Sequence, residues 1–204
     1  MSEQSTLPTE KFLDAAEACY ARVGLAKTSM DDVGREAGAS RATLYRYFAN
    51  RDELLRAALI RQARQLADEA GEYLVRNCDS VEDHMVEGLL FALREIPNRP
   101  LLGDLFTKDG LGAASRIVLT SEEMLGIGIE VLRPIFEPAR AQGLLRETVR
   151  LEGAIEWILH ILASYLLAPS RVATTEDEMR ELLRAMLLPA VLAPAAITND
   201  DTKE

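Results

Sequence analysis

The sequence predicts an all-α chain of about nine helices, and three observations carry that prediction. Apolar residues recur at i, i+3, i+4 and i+7 in one segment after another. The period-two alternation of half-buried strands is absent, and aromatic residues make up only 5% of the chain. Gly, Pro and Ser/Thr/Asp/Asn fall where the periodic segments stop and start. With 204 residues, 48% of them hydrophobic, the chain is long and apolar enough for a small domain joined to a larger one.

The first helix is expected over Thr9 to Val23, where Phe12, Ala15, Ala16, Cys19 and Tyr20 share a face and Gly24 supplies the stop. A short second helix starts after Ser29. Ser29-x-x-Asp32 has capping-box spacing, with Asp in place of Glu. Gly38-Ala39-Ser40 is read as a tight turn, and Ser40 as the N-cap of a third helix running from Arg41 to Phe48. Asn50-x-x-Glu53 opens a longer fourth helix whose Leu54, Leu55, Ala58, Leu59, Leu66 and Ala70 point to a core. Further amphipathic helices are expected near residues 80–95, 100–108, 115–141, 151–168 and 175–192. Ile155, Ile158, Leu159, Leu162 and Leu166 form one stripe; Met179, Leu182, Leu183, Met186, Leu187 and Ala190 form another. The 151–168 helix carries a second apolar stripe, Trp157, His160, Ile161 and Tyr165, so it must bury two faces. The tail from Ala195 is polar and reads as frayed.

Composition narrows the function. The net charge of −10 argues against nucleic-acid binding through overall charge, so any DNA contact needs a local basic patch. Cys19 and Cys78 lie far apart and read as buried thiols in a reducing compartment. The N-terminus lacks the basic start and apolar core of a secretory signal, and no apolar run reaches the roughly 18 residues that span a bilayer. A cytoplasmic location without membrane contact is the expectation.

Residues 29–48 read SMDDVGREAGASRATLYRYF, and they have the logic of a helix-turn-helix. Val33 and Ala37 face inward from the first helix, Gly38 allows the turn, and Leu44 and Phe48 anchor the second helix. Arg41, Thr43, Tyr45, Arg46 and Tyr47 are left for the outer faces. From Arg41 to Arg51 there are three arginines and no acid. That island supplies planar or short side chains for base edges, with cations and hydroxyls for phosphates.

The stretch KFLDAAEACYARVGLAKTSMDDVGREAGASRATLYRYFANRDELLRAAL, about residues 10–59, resembles the DNA-binding head of the TetR family of transcriptional regulators. The resemblance rests on Ala15-Ala16, Gly24, Ser29, Ala37-Gly38, Thr43-Leu44-Tyr45, Phe48 and Leu54-Leu55 in register. It covers roughly a quarter of the chain. It implies a three-helix DNA-binding head over 6–66 and a helical regulatory and dimerisation body over 67–204. It implies that Ser29 caps the second helix beside a phosphate, that Arg41, Ala42, Thr43 and Tyr45 face the major groove, and that Arg46, Tyr47 and Arg51 contact phosphates. Arg51 stands where the family usually has Lys, Gly34 where Ala is common, Ala39 where Val is common and Ala42 where Gly is frequent.

The resemblance further implies a homodimer on a palindromic double-stranded DNA operator, acting as a repressor and released by a small, largely apolar effector. Phe91, Phe106, Met124, Ile127, Phe136, Trp157, His160 and Tyr165 are the candidates to line the effector cavity, each with ordinary core as the plainer reading. The stripes at 155–166 and 179–190 are the expected dimer interface, as a four-helix contact with their partner copies. An enzyme is the rival class. His84 and His160 are the only histidines, and no Glu-x-x-His, His-Glu-x-x-His or Gly-x-Ser-x-Gly is present. Gly126-Ile-Gly128 resembles a dinucleotide loop but follows no strand. Asp83, His84 and Glu87 could share a metal, although a solvated polar face explains them as well. No cofactor, metal or catalytic residue is expected.

Overall fold

The computed structural model describes residues 8–106 and 121–194, and every regular element among them is helical. In order they are α1 (Pro8–Val23), α2 (Met30–Glu36), α3 (Arg41–Tyr47), α4 (Arg51–Asn77), α5 (Val81–Glu95), a 3-10 turn (Ile96–Asn98), α6 (Pro100–Asp104), α7 (Glu122–Ala141), α8 (Leu151–Leu167), α9 (Glu176–Met186) and α10 (Leu188–Val191). An isolated antiparallel bridge joins Leu145 to Leu192. The expected extension of a helix back to residue 115, residues 107–108 and the tail from Ala195 all lie outside the described residues.

The described residues divide into two packed units: 8–63 with 97–106, and 64–96 with 121–194. The sequence expectation divides the chain once, after residue 66, whereas α6 packs against α1. Its Leu101, Leu102 and Leu105 are all at most 4% exposed.

In the first unit the apolar face of α1 is buried as expected, with Phe12, Ala15, Ala16, Cys19 and Tyr20 at 0–5% exposure. Seven-residue helices such as α2 and α3 are too short to hold themselves in water. Their ends are therefore fastened. Ser29 and Asp32 complete a reciprocal capping box, and the Ser40 hydroxyl accepts from the Thr43 N–H. Asn50 caps α4 by accepting from the Glu53 N–H at 2.9 Å, while Glu53 reaches back to the Ala49 N–H instead of that of Asn50. Arg61 on α4 donates to Glu10, Asp14 and Glu17 on α1 at 2.7–3.0 Å.

In the second unit α5, α7, α8 and α9 enclose an apolar core that includes Val86, Leu89, Leu90, Phe136, Ile155, Leu183 and Leu187. α7 and α8 approach closely at Gly128, where a Cβ would stand 2.5 Å from Ile155 Cγ2. The Gly126-Ile-Gly128 pair is thus helix interior and serves packing. The expected 175–192 helix is divided at Leu187, because Pro189 has no N–H to continue the ladder. The chain after it pairs with the α7–α8 loop through Arg146 N–H to the Val191 carbonyl and Ala193 N–H to the Leu144 carbonyl. Ion pairs fasten α9 to α5: Arg180 to Glu87, and Arg184 to Asp83. Two of the three groups considered for a metal are thereby partnered with arginine. No helix among the described residues is long and apolar enough to cross a membrane.

Candidate DNA-binding helix and the cleft of the second unit

The turn between α2 and α3 is built as its residues dictate. Gly38 has φ +61, the left-handed region where a Cβ is penalised. The Ala37 N–H closes on the Val33 carbonyl and the Ala39 N–H on the Gly34 carbonyl, both at 2.9 Å. Val33, Ala37, Leu44 and Phe48 are buried at 0–5% exposure. With these four inward, the opposite side of α3 is left to solvent. Arg41, Ala42, Tyr45, Arg46 and Tyr47 are exposed there, Thr43 is half-buried, and Ser29 is exposed at the start of α2.

Side-chain contacts separate the three arginines that the sequence grouped together. The Arg46 guanidinium lies 5.3 Å from the Tyr47 ring and has no carboxylate partner among the described residues. Tyr47 packs its ring against Phe12 with centroids 5.4 Å apart. Arg41 donates to Asp31 on α2 and lies over Tyr45. Arg51 turns inward, and its guanidinium donates to the carbonyls of Thr28 and Leu25 in the α1–α2 loop. Those carbonyls lie in the loop after α1, and a planar fork satisfies two at once, so in this position Arg51 clamps the loop and is not aimed at a phosphate. Two exposed groups escaped the sequence reading. Lys27 is an exposed cation just before α2, and Asp31 is an exposed acid in the first turn of α2, where the helix dipole favours it. Nothing local to Asp31 marks Arg41, ten residues on, as its partner.

One carboxyl here is a stronger acid than usual, and the cause is local. The Ser29 hydroxyl and N–H bond to the Asp32 carboxylate and hold it below the ordinary aspartate value. Burial pushes the Cys19 and Cys78 thiols up, so neither is a ready nucleophile.

The second unit has an open cleft of about 650 Å³ between α4, α5 and α7. Its apolar floor includes Leu74, Ile127, Val131 and Ile135, and Arg64, Asp68, Glu130 and His84 stand at its edges. Of the residues proposed from sequence for a cavity, Ile127 lines this cleft. Phe91 lines a smaller hollow with Tyr73, Phe106 belongs to the first unit and Met124 and Tyr165 are half-buried. Phe136 is in the core. Trp157 and His160 are corrected to surface residues. Trp157 is 42% exposed, and the His160 ring bonds the Glu156 carbonyl of its own helix. Of the two stripes of α8, the one that carries Ile155 is turned further toward the core. Ile155, Leu183 and Leu187, placed at a dimer contact from sequence, are 1–3% exposed inside their own subunit's core. Ile158, Leu159, Leu162 and Met179 pack partly against that core, Leu166 and Leu182 are half-buried, and Met186 is 68% exposed.

Two short helices crossed through a glycine turn, with an exposed cationic and aromatic second helix, define a helix-turn-helix DNA-binding protein. Residues 12–58 match the model of the bacterial regulatory proteins of the tetR family. Over those residues the chain is similar to that family, which supports DNA binding by its helix-turn-helix in a transcriptional regulator. It is 26% identical over 197 residues to an uncharacterized HTH-type transcriptional regulator of Mycobacterium tuberculosis, covering 96% of this chain and 91% of that one. Among solved structures it is similar to the TetR family repressor AlkX of a Dietzia strain, implicated in biodegradation of n-alkanes. That match has a TM-score of 0.67 and 24% identity, and covers 93% of this chain and 97% of that one. It is also similar in fold to FadR of Bacillus subtilis in complex with stearoyl-CoA, with a TM-score of 0.59 and 14% identity over 86% of this chain and 97% of that one.

Proposed function

We propose that this chain is a cytoplasmic repressor that binds a palindromic operator as a homodimer and is released by a small, largely apolar effector. The observation that carries the reading is the solvent-facing side of α3. Arg41, Ala42, Thr43 and Tyr45 face the major groove, while Arg46, Tyr47, Lys27 and the start of α2 at Ser29 contact phosphates. Titration of the full chain against the DNA upstream of its own coding sequence tests this. Arg46→Ala is expected to weaken binding to all sequences and to lower the slope of log affinity against log salt by about 1. An unchanged slope would remove Arg46 from the phosphate contacts.

The dimer surface follows from what the core leaves uncovered. Trp157, His160 and Leu167 stand exposed on one face of α8 at helical spacing, and Met186 stands exposed on α9. An apolar face with Trp at its centre is the kind of surface that a two-fold contact buries. Trp157→Asp is expected to give monomers in sedimentation and to lose operator binding; a stable dimer would refute this surface.

The cleft beside Ile127 and Val131 has the size and apolar floor of a small-molecule site. The solved relatives named for n-alkane degradation and for a bound stearoyl-CoA favour an aliphatic ligand. Release requires that the effector favour a spacing of the two heads that no longer matches the grooves. Val131→Trp, which fills the cleft, is expected to abolish release by a long-chain aliphatic compound while operator affinity without it is kept.

A further inference from the structure

Arg41 opens α3, and its guanidinium is held from two helices. Nη1 donates to Oδ2 of Asp31 on α2 at 3.3 Å, Nη2 donates to the Tyr45 hydroxyl at 3.4 Å, and Cζ stands 5.2 Å from the centre of the Tyr45 ring. The two ionic side chains are 65% and 54% exposed, so the pair adds little to the stability of the fold. Asp31 also opposes simple DNA affinity, because a carboxylate beside the groove-facing helix repels phosphate. What the contacts do accomplish is order. A side chain with four rotatable bonds is fixed before any partner arrives, which removes an ordering cost from association.

The fixed group keeps donors to spare. A guanidinium has five N–H groups, and the two contacts use one on each terminal nitrogen. A second hydrogen on each remains, with that of Nε. The base edge that accepts two parallel N–H donors is guanine, through O6 and N7 in the major groove. Thymine offers one acceptor there, and adenine pairs its acceptor with a donor that an arginine cannot satisfy.

We propose that Arg41 reads one guanine in each half-site and that Asp31 is the positioning residue that aims it, with Tyr45 as the shelf beneath. This rests on the reading that α3 is the groove-facing helix. Asp31 thereby exchanges general affinity for selectivity, and it is one way a protein of net charge −10 keeps an arginine directed at a base in place of the nearest phosphate.

The test is selection of bound sequences from a randomised DNA pool by the full-length protein, followed by titration of single-base variants of the selected site. The wild type is expected to require one G·C pair per half-site by about tenfold or more. Arg41→Ala and Arg41→Lys should both lose that requirement, Lys because it keeps the charge without the fork. Asp31→Asn should weaken discrimination at the same pair several-fold, leave the other positions unchanged, and leave non-specific affinity equal or higher. Melting of Asp31→Asn should match the wild type, since the residue is exposed. Discrimination at that pair untouched by Asp31→Asn, or relaxed evenly over the site, overturns the positioning role. Relaxation at an A·T pair by Arg41→Ala overturns the choice of guanine. If Arg41→Ala alters neither affinity nor preference, the groove-facing reading of α3 itself falls.

Discussion

The helix-turn-helix unit and the second unit are both helical, both capped and both cored, yet they draw on polar and apolar contacts in different proportion. The first unit fastens short helices by polar means: a reciprocal capping box at α2, a hydroxyl cap at α3, the Arg51 clamp on two carbonyls, and Arg61 shared among three carboxylates. The body depends on long helices, an apolar core that takes in α5, α7, α8 and α9, and one close backbone approach at Gly128. The difference follows from length. Seven residues cannot present enough apolar surface to offset the entropy of ordering them, so their ends must be satisfied side chain by side chain. A helix of seventeen residues such as α8 buries Leu151, Ala154, Ile155 and Ala163 and holds without a side-chain cap at its N-terminus, whereas α5, α7 and α9 are capped by Ser80, Ser121 and Thr175.

Core truncation is the strongest way to sharpen that contrast. Leu187→Ala in the body should cost about 2–5 kcal/mol in denaturant unfolding, since the side chain is 1% exposed. The same variant is expected to remain a dimer of lowered stability, not to give well-folded monomers. A well-folded monomer would return Leu187 to the dimer interface. Gly128→Ala comes next, at about 1–3 kcal/mol, because Ile155 must move to admit the methyl group. An unchanged melting temperature would show that α7 and α8 separate at no cost.

For the polar unit the matching variant is Arg61→Met, whose side chain is 15% exposed. It keeps most of the volume and removes the donors to Glu10, Asp14 and Glu17. A loss of about 1–3 kcal/mol is expected, toward the lower end because Glu10 and Asp14 remain hydrated. A stability gain would mean that apolar packing serves α1 and α4 better than the clamp.

Acid probes the caps of both units and gives the smallest effect near neutrality. The N–H groups of Thr175 and Thr174 hold the Glu178 carboxylate at about 2 against an ordinary 4.5. Asp83 also lies below its ordinary value, because its bonds from Ser80 and Arg184 outweigh the opposing and largest single influence, burial. Asp32 is lowered in the same direction. A carboxylate with a depressed folded value contributes fully above its unfolded value, and the contribution is lost as pH falls through the folded one. Stability should therefore be level above pH 4.5 and decline from there toward pH 2. A melting profile flat across that interval would remove the caps from the account.

The head was legible in sequence because its signals are local. Ser29-x-x-Asp32, Gly38, Ser40 and the apolar positions of α1, α2 and α3 each act within a few residues, and each does in the structure what its spacing predicts. Asn50 shows the limit of such spacing: its side chain caps α4, but Glu53 returns to Ala49. Arg51 shows a second limit, since its carbonyl partners lie 23 and 26 residues away, beyond any local pattern.

In the body, periodicity identified the helices but could not assign their faces. α8 carries two apolar stripes of similar quality, and the sequence gives no reason to prefer Ile155 over Trp157 for the interior. The choice is made by α5, α7 and α9, which enclose Ile155 and leave Trp157 outside. The amino-acid sequence by itself determined the all-α class and the helix-turn-helix, because hydrogen-bond caps, turn chemistry and the helical repeat act over short distances. Tertiary structure alone decided which stripe became core, which arginine became a clamp, and that Asp31 meets Arg41, because these depend on elements brought together across the chain.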